Sequence, residues 1–132
     1  MKRANSFIAE PIPAGTYVAV ITGSEPRAYN TGPRQYADLT FQIIEGPYAG
    51  HRLSKRLDLL HPNLIEKTLY CMELSSICWA VGVPTTQNYG ELYNRPLLIN
   101  VCRETRPDNG IIVNRIVGYA KRELSLKETT DD

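Results

Sequence analysis

Length, composition and charge indicate a single ordinary globular domain. The chain has 132 residues, of which 42% are hydrophobic and 22% are charged, so it is large enough to bury a core without disulfides. No run of about 18 apolar residues occurs, and no apolar stretch of signal-peptide length precedes Glu10. These features argue against a membrane protein or a secreted protein, and we expect a cytoplasmic one.

The charge is divided unevenly along the chain. Residues 1–122 hold 14 Lys and Arg against 10 Asp and Glu, a net charge of +4, whereas residues 123–132 have a net charge of −3. A basic body followed by an acidic tail occurs in nucleic-acid-binding proteins. We expect residues 1–122 to form the domain, with residues 1–14 as an N-terminal arm and residues 123–132 as a flexible tail.

The cysteines and histidines do not predict a metal site. The chain has three cysteines, Cys71, Cys78 and Cys102. Because their number is odd, reduced thiols are favoured over a disulfide framework. The first two are seven residues apart, and neither His51 nor His61 lies at ligand spacing from them. We therefore predict no metal and no cofactor.

Three strand-like segments come before the single predicted helix and two come after it. The alternation of Leu39, Phe41 and Ile43 with polar residues is typical of a half-buried strand. Glycine and proline between residues 23 and 33 predict a loop. The predicted strands are residues 16–22, 37–45, 51–60, 96–104 and 111–120.

The helix has clear start and stop signals. Asn63 followed by Glu66 predicts a capping box, and Gly82 with Pro84 predicts the C-terminus about 18 residues on. Because the segment is apolar over most of its surface, we expect it to close one end of a barrel. Trp79 is accordingly predicted to pack in the core rather than to stack on a base.

This order of elements is that of the OB-fold. The prediction is a mostly β protein with one main helix, built as a five-stranded Greek-key barrel with the helix between strands three and four. In such barrels the face over strands two and three, flanked by the loop between strands one and two, commonly binds single-stranded nucleic acid or oligosaccharide.

The candidate binding residues follow from that face. Arg52 and Arg56 are four residues apart on one strand, so they point to the same side about 13 Å apart, a spacing of roughly two nucleotides. The alternative is that they only keep the surface soluble. The polar sides of strands two and three, with the loop before them, supply Arg27, Tyr29, Arg34, Tyr36, Thr40, Gln42, Arg52, Ser54 and Arg56.

Five further residues complete the candidate set. The turn after strand two supplies Tyr48, whose ring could equally cover the hairpin. Lys55 falls on the apolar side of strand three, from which it could reach the rim or be turned outward by a bulge. The hairpin between strands four and five supplies Arg103, Arg106 and Arg115.

Four strings in the same order extend the prediction. IPAGTYVAVI, ADLTFQIIEGPYAGHRLSKRLDL, SSICWAVGV and NRIVGY, spanning about Pro13 to Tyr119, resemble a family of small phage-encoded proteins regarded as single-stranded-DNA-binding. That family was first catalogued as a domain of unknown function. The resemblance implies an OB-like barrel acting in phage DNA replication or recombination, in the host bacterial cytoplasm. It supplies no binding motif that transfers residue by residue.

The functional prediction is therefore sequence-tolerant binding of single-stranded DNA, by a cationic groove with aromatic stacking. The alternative is a protein-interaction module of the same fold that recruits a phage or host protein. The acidic tail could recruit replication or recombination proteins, or only aid solubility, and a homodimer is possible. Catalysis is not expected, because Asp38, Asp58, Glu91, Glu104 and Asp108 are dispersed without a motif.

Overall fold

The computed structural model describes residues 10–29, 34–84 and 88–122. The predicted acidic tail and residues 1–9 of the predicted arm lie outside the described residues. Within the described ranges the regular elements are β1 (Gly15–Ala28), β2 (Gln35–Ile43), β3 (Arg52–Leu57), α1 (Leu64–Val81), a short 3-10 helix (Tyr89–Leu92), β4 (Leu97–Thr105) and β5 (Ile112–Ala120).

The five strands form one antiparallel sheet with the order β3-β2-β1-β4-β5. The prediction of a mostly β protein with one helix between the third and fourth strands is confirmed. The sheet is open: among the described residues, its edge strands β3 and β5 approach each other but are not paired.

Strand β1 is longer than the sequence predicts. The sequence pattern predicts residues 16–22, but the strand continues to Ala28 and so includes residues 23–28 of the predicted loop. Beyond Gly23 it pairs with β2 alone among the described residues, and an edge of this kind tolerates Pro26. The β1–β2 hairpin therefore extends beyond β4, with Tyr29 and Arg34 at its tip.

Alternation along the strands separates an inner face from an outer one. Leu39, Phe41 and Ile43 of β2 are buried and pack with residues of β1, β3 and β4. The intervening polar residues of β2 point to the other face. The main buried side chains of the sheet are Ile21, Leu39, Phe41, Ile43, Leu57, Leu97, Ile99, Val101 and Ile116.

Helix α1 begins and ends where the sequence predicts. Asn63 Oδ1 accepts a hydrogen bond from the Glu66 N–H at 3.0 Å, and Gly82 follows the last turn with a φ of +84°. The predicted capping box is only half formed. The Asn63 N–H donates to His61 Nδ1 at 3.0 Å instead of to Glu66.

The helix buries one face and exposes the opposite one. Ile77, Cys78 and Val81 are buried, whereas Trp79 is 58% exposed. The prediction that Trp79 packs in the core is therefore wrong. Its ring lies at the surface, with Lys121 Nζ 5.0 Å from the ring centroid.

Helix α1 also joins the two edges of the sheet. Glu73 forms an ion pair with Lys55 of β3 at 3.4 Å and accepts a hydrogen bond from the Tyr119 hydroxyl of β5 at 2.6 Å. The Tyr119 ring stacks on Phe41 with centroids 5.9 Å apart. Burial, followed by the interactions with Glu73, raises the pKa of Tyr119.

The described end of the predicted arm packs against the sheet. Ile12 is buried, its N–H donates to Asn114 Oδ1 at 2.9 Å, and its carbonyl accepts from Arg103 at 3.2 Å. Pro11 and Ile12 of the predicted arm therefore contact β4 and β5. Among the described helices, none has the length and apolar character needed to span a membrane.

Candidate nucleic-acid interface

The outer face of β2 and β3 is a ladder of polar cross-strand pairs. Its register pairs Asp38 with Arg56, Thr40 with Ser54, and Gln42 with Arg52. The β3 members of these pairs are exposed, and Arg52 Nε donates to Gln42 Oε1 at 3.2 Å. The structure thus places Thr40, Gln42, Arg52, Ser54 and Arg56 on one solvent-facing surface, as the alternation predicts.

Two tyrosines and two arginines stack at the hairpin end of this surface. The rings of Tyr29 and Tyr36 lie 4.9 Å apart. The Arg56 guanidinium lies 4.3 Å from the Tyr36 ring centroid, and that of Arg34 lies 4.3 Å from the Tyr29 centroid. We call Tyr29, Arg34, Tyr36 and Arg56 the tyrosine–arginine cluster. Such contacts hold the cations against the negative ring faces.

The cluster is anchored by Asp58, which is fully buried. Its Oδ2 accepts a hydrogen bond from the Tyr29 hydroxyl and pairs with Arg34 Nη1 at 2.5 Å. Its Oδ1 is buried without a hydrogen-bond partner among the described residues. Asp58 therefore ties both residues at the hairpin tip to the chain that leaves β3.

Sequence reasoning missed this role. Strand alternation groups Asp58 with Arg52 and Arg56 on an exposed face, but β3 ends at Leu57 and the next residue turns inward. One available signal was the context of the aspartate. It stands in the string RLDLL, where apolar neighbours make an exposed carboxylate less expected.

The surroundings of Tyr29 favour the uncharged form of its phenol. Burial, and secondarily the hydrogen bond and charge of Asp58, raise the pKa of Tyr29 above its usual value. The cluster combines two guanidinium groups with two phenol rings beside the buried side chain of Asp58. That combination suits a ligand with both flat rings and negative charge.

Arg27 adjoins the cluster but is paired with acids. It stands opposite Tyr36 in the register, and its guanidinium contacts Glu25 at 2.9 Å and Asp38 at 3.3 Å. Its charge is thus locally compensated, whereas Arg52 forms no ion pair within the part of the chain that the structure describes.

The structure separates two other candidates from this surface. Lys55 lies on the opposite side of β3, where it meets Glu73 of α1, and no bulge in the β2–β3 register turns it outward. Tyr48 lies in the loop after β2, with its ring edge-to-face against Tyr17 at 6.0 Å. Lys55 is thus on the apolar side of β3, as alternation predicts, and the bulge considered as an alternative does not occur.

The arginines of the β4–β5 hairpin are engaged locally, and within the described ranges they do not contact the cluster. Arg103 donates to the carbonyls of Pro11 and Ile12, and Arg106 pairs with Asp108 at 3.6 Å. Arg115 pairs with Glu104 at 3.0 Å, and this hydrogen bond raises the pKa of Arg115. β4 and β5 lie on the other side of β1 from β2 and β3 in the strand order.

The described residues contain no group of three or more His, Cys, Asp or Glu side chains arranged to hold a metal ion. The three cysteines are unpaired thiols, of which Cys78 is buried and Cys71 exposed. Burial raises the pKa of the Cys78 thiol.

Comparison with known proteins gives a family without an assigned activity. Residues 1–128 match the model of a family described as "Protein of unknown function (DUF669)". Because the match spans nearly the whole chain, the chain belongs to this family. No curated protein matches it.

Proposed function

We propose that this member of the DUF669 family binds single-stranded DNA with little sequence preference, on the outer face of β2 and β3. The observation that carries the proposal is the tyrosine–arginine cluster. It combines two rings 4.9 Å apart with two guanidinium groups at one end of an exposed polar strand face. Single-strand binding requires cations along the phosphate track and rings on which bases stack.

The fold supports the same proposal. The order β3-β2-β1-β4-β5, with the helix between β3 and β4, is the order expected for an OB-fold barrel opened between β3 and β5. We infer that the domain is OB-like. In that fold the ligand face lies over strands two and three and is flanked by the loop between strands one and two, where Tyr29 and Arg34 stand.

In the proposed binding mode the arginines contact phosphates and the tyrosines stack on bases. Arg52 and Arg56 contact phosphates about two nucleotides apart, because same-face residues of a strand repeat every 6–7 Å or so and these two are separated by two such steps. Tyr36 and Tyr29 stack on bases, which contributes about 1–3 kcal/mol per base whatever the sequence. Asp58 holds Tyr29 and Arg34 in place before the strand arrives, which reduces the ordering cost of binding.

The biological setting belongs to the same proposal. A sequence-tolerant single-strand binder serves DNA replication or recombination, and a phage protein of this kind would act in the host cytoplasm. The acidic residues at 123–132 would then be available to recruit replication or recombination proteins.

The two strand arginines provide the test. We expect Arg52→Ala with Arg56→Ala to weaken binding of a fluorescent oligothymidine of about 25 nucleotides by roughly 10- to 100-fold at low salt, since two phosphate contacts are lost. Fluorescence anisotropy measures the affinity. The melting temperature should change little, because both side chains are exposed.

Lys67→Ala with Arg95→Ala is the matched control, since it removes the same charge from exposed positions that are not among the candidate binding residues. This variant should bind within about threefold of the wild type. Equal losses in the two double variants would show that general positive charge, not this face, binds the DNA. Unfolding of the Arg52/Arg56 variant would show that these side chains are structural.

A further inference from the structure

The solvent-facing side of α1 carries a row of exposed, mostly apolar side chains. Ile65, Leu69, Met72 and Trp79 are 71%, 54%, 60% and 58% exposed, and Ser76 lies between the last two. We call these five residues the apolar seam. It lies across the helix from Ile77, Cys78 and Val81, which pack into the domain.

The spacing of the seam is that of a helix that packs against another helix. Its members follow one another at intervals of four, three, four and three residues, the 3.5-residue average of a heptad repeat. The row runs for about 21 Å at the rise of an α-helix. Apolar surface of this extent on a small protein marks an interaction site.

The shape around the seam also suits a second helix. A groove lined by Leu64, Thr68, Cys71 and Ser75 runs along one flank. A second groove lies between α1 and β5, and its lining is mixed: it includes Leu69, Met72 and Val117 together with the charged side chains Lys55, Glu73 and Arg115. A ridge between two grooves is complementary to the same ridge on another copy, because helices pack with the ridges of one in the grooves of the other.

The charges at the two ends of the seam select the orientation. Glu66 directly follows Ile65, at the flanking position where interhelical ion pairs form, and Lys121 lies over Trp79 at the opposite end. In an antiparallel pair of identical helices, Glu66 of each copy faces Lys121 of the other. A parallel pair would place like charges together at both ends.

We propose that the apolar seam is the interface of a symmetric dimer, in which α1 of two copies of this chain pack antiparallel about an axis near Met72. A two-fold axis makes the same patch meet itself, which a single self-complementary seam allows. The proposal is independent of DNA binding, and its test contains no nucleic acid.

Sedimentation equilibrium of the full chain tests the dimer. We expect the mass to rise from 14.9 kDa towards twice that value between about 1 and 100 µM. Trp79 is the single tryptophan, so its emission should shift to shorter wavelength over the same range as its ring leaves water. A monomer mass at every concentration, a larger assembly, or vesicle binding without self-association would overturn the proposal.

Two variants of the same chemistry locate the interface. Met72→Glu places two carboxylates at the axis and should weaken the dimer at least about a hundredfold. Ile111→Glu makes the same kind of change at a similarly exposed site in the β4–β5 hairpin and should leave the dimer intact. Unchanged melting temperatures show that both fold. Dimerisation of Met72→Glu at wild-type affinity would overturn the interface.

A charge exchange tests the orientation. Glu66→Lys and Lys121→Glu should each weaken the dimer by about two- to fivefold, and the double variant should restore it. Because the two single variants change the net charge in opposite directions, a general charge effect would not weaken both. Failure of the double variant to recover affinity would overturn the antiparallel arrangement.

Discussion

The ring of Tyr36 gives the sharpest residue-scale test of stacking. Arg56 already lies over it, and β2 fixes its position on the outer face. Tyr36→Leu should weaken single-stranded DNA binding by about 1–3 kcal/mol, because a leucine cannot stack on a base, while Tyr36→Phe should bind within about twofold. Anisotropy titrations distinguish these outcomes. An equal loss in both variants would mean that the hydroxyl, not the ring, contacts the ligand.

Asp58 affects stability as well as the site. Asp58→Asn replaces the charged acceptor of Tyr29 and Arg34 with a neutral amide, which should lower the free energy of unfolding by about 1–3 kcal/mol. Urea unfolding measures the loss. Asp108→Asn is the control, since Asp108 pairs with Arg106 at the surface and should cost less than about 0.5 kcal/mol. Equal losses would contradict an anchoring role for Asp58.

At the scale of elements, Glu73 of α1 contacts Lys55 of β3 and Tyr119 of β5. The titration of Tyr119 makes the stability of the protein sensitive to alkaline pH. The folded state raises the pKa of Tyr119, so between the unfolded and folded pKa values the native protein retains a proton that the unfolded chain has lost. The contribution of Tyr119 is fully present at neutral pH and decreases as the pH rises above about 10.

Tyr119→Phe removes this titration and leaves Glu73 its ion pair with Lys55. Between about pH 10 and 11, the free energy of unfolding of the wild type should fall more steeply than that of Tyr119→Phe, by up to about 1.4 kcal/mol per pH unit. Urea unfolding at several pH values measures both slopes. Parallel slopes would show that Tyr119 does not retain its proton there.

The elements that the sequence predicts well are those coded by local pattern. Period-two alternation located β2 and β3 and assigned Arg52 and Arg56 to one face, and the caps Asn63 and Gly82 delimited α1. These signals depend on backbone geometry within a few residues, so they do not require knowledge of the tertiary fold.

The features that the sequence does not predict depend on which elements lie next to each other in the fold. Pro26 predicts a loop, because proline cannot donate a hydrogen bond within a central strand. It is tolerated in β1 because this part of the strand pairs with β2 but not with β4. Trp79 reads as a core residue because α1 is apolar on both sides, and periodicity alone does not tell which side meets the sheet. Asp58 anchors the cluster through contacts with Arg34 and Tyr29, which precede it by 24 and 29 residues in the sequence. Local sequence patterns do not predict contacts over such separations.

At the scale of the whole molecule, two different surfaces carry the two proposals. The outer face of β2 and β3 offers charge and rings, whereas the solvent side of α1 offers an apolar seam. A dimer joined through α1 would leave the faces of both copies available to nucleic acid. Each surface is tested without disturbing the other, since Met72 lies outside the cluster and Arg56 lies outside the seam.

The central claim is that the outer face of β2 and β3 binds unpaired DNA, and a salt titration of the wild-type chain tests it most directly. Anisotropy with oligothymidine of about 25 nucleotides, and with a duplex of equal length, gives affinity against salt. We predict preference for the single strand, with a log–log slope of about −0.7 for each phosphate contacted. Absence of binding at low salt, or equal affinity for the duplex, would contradict the claim.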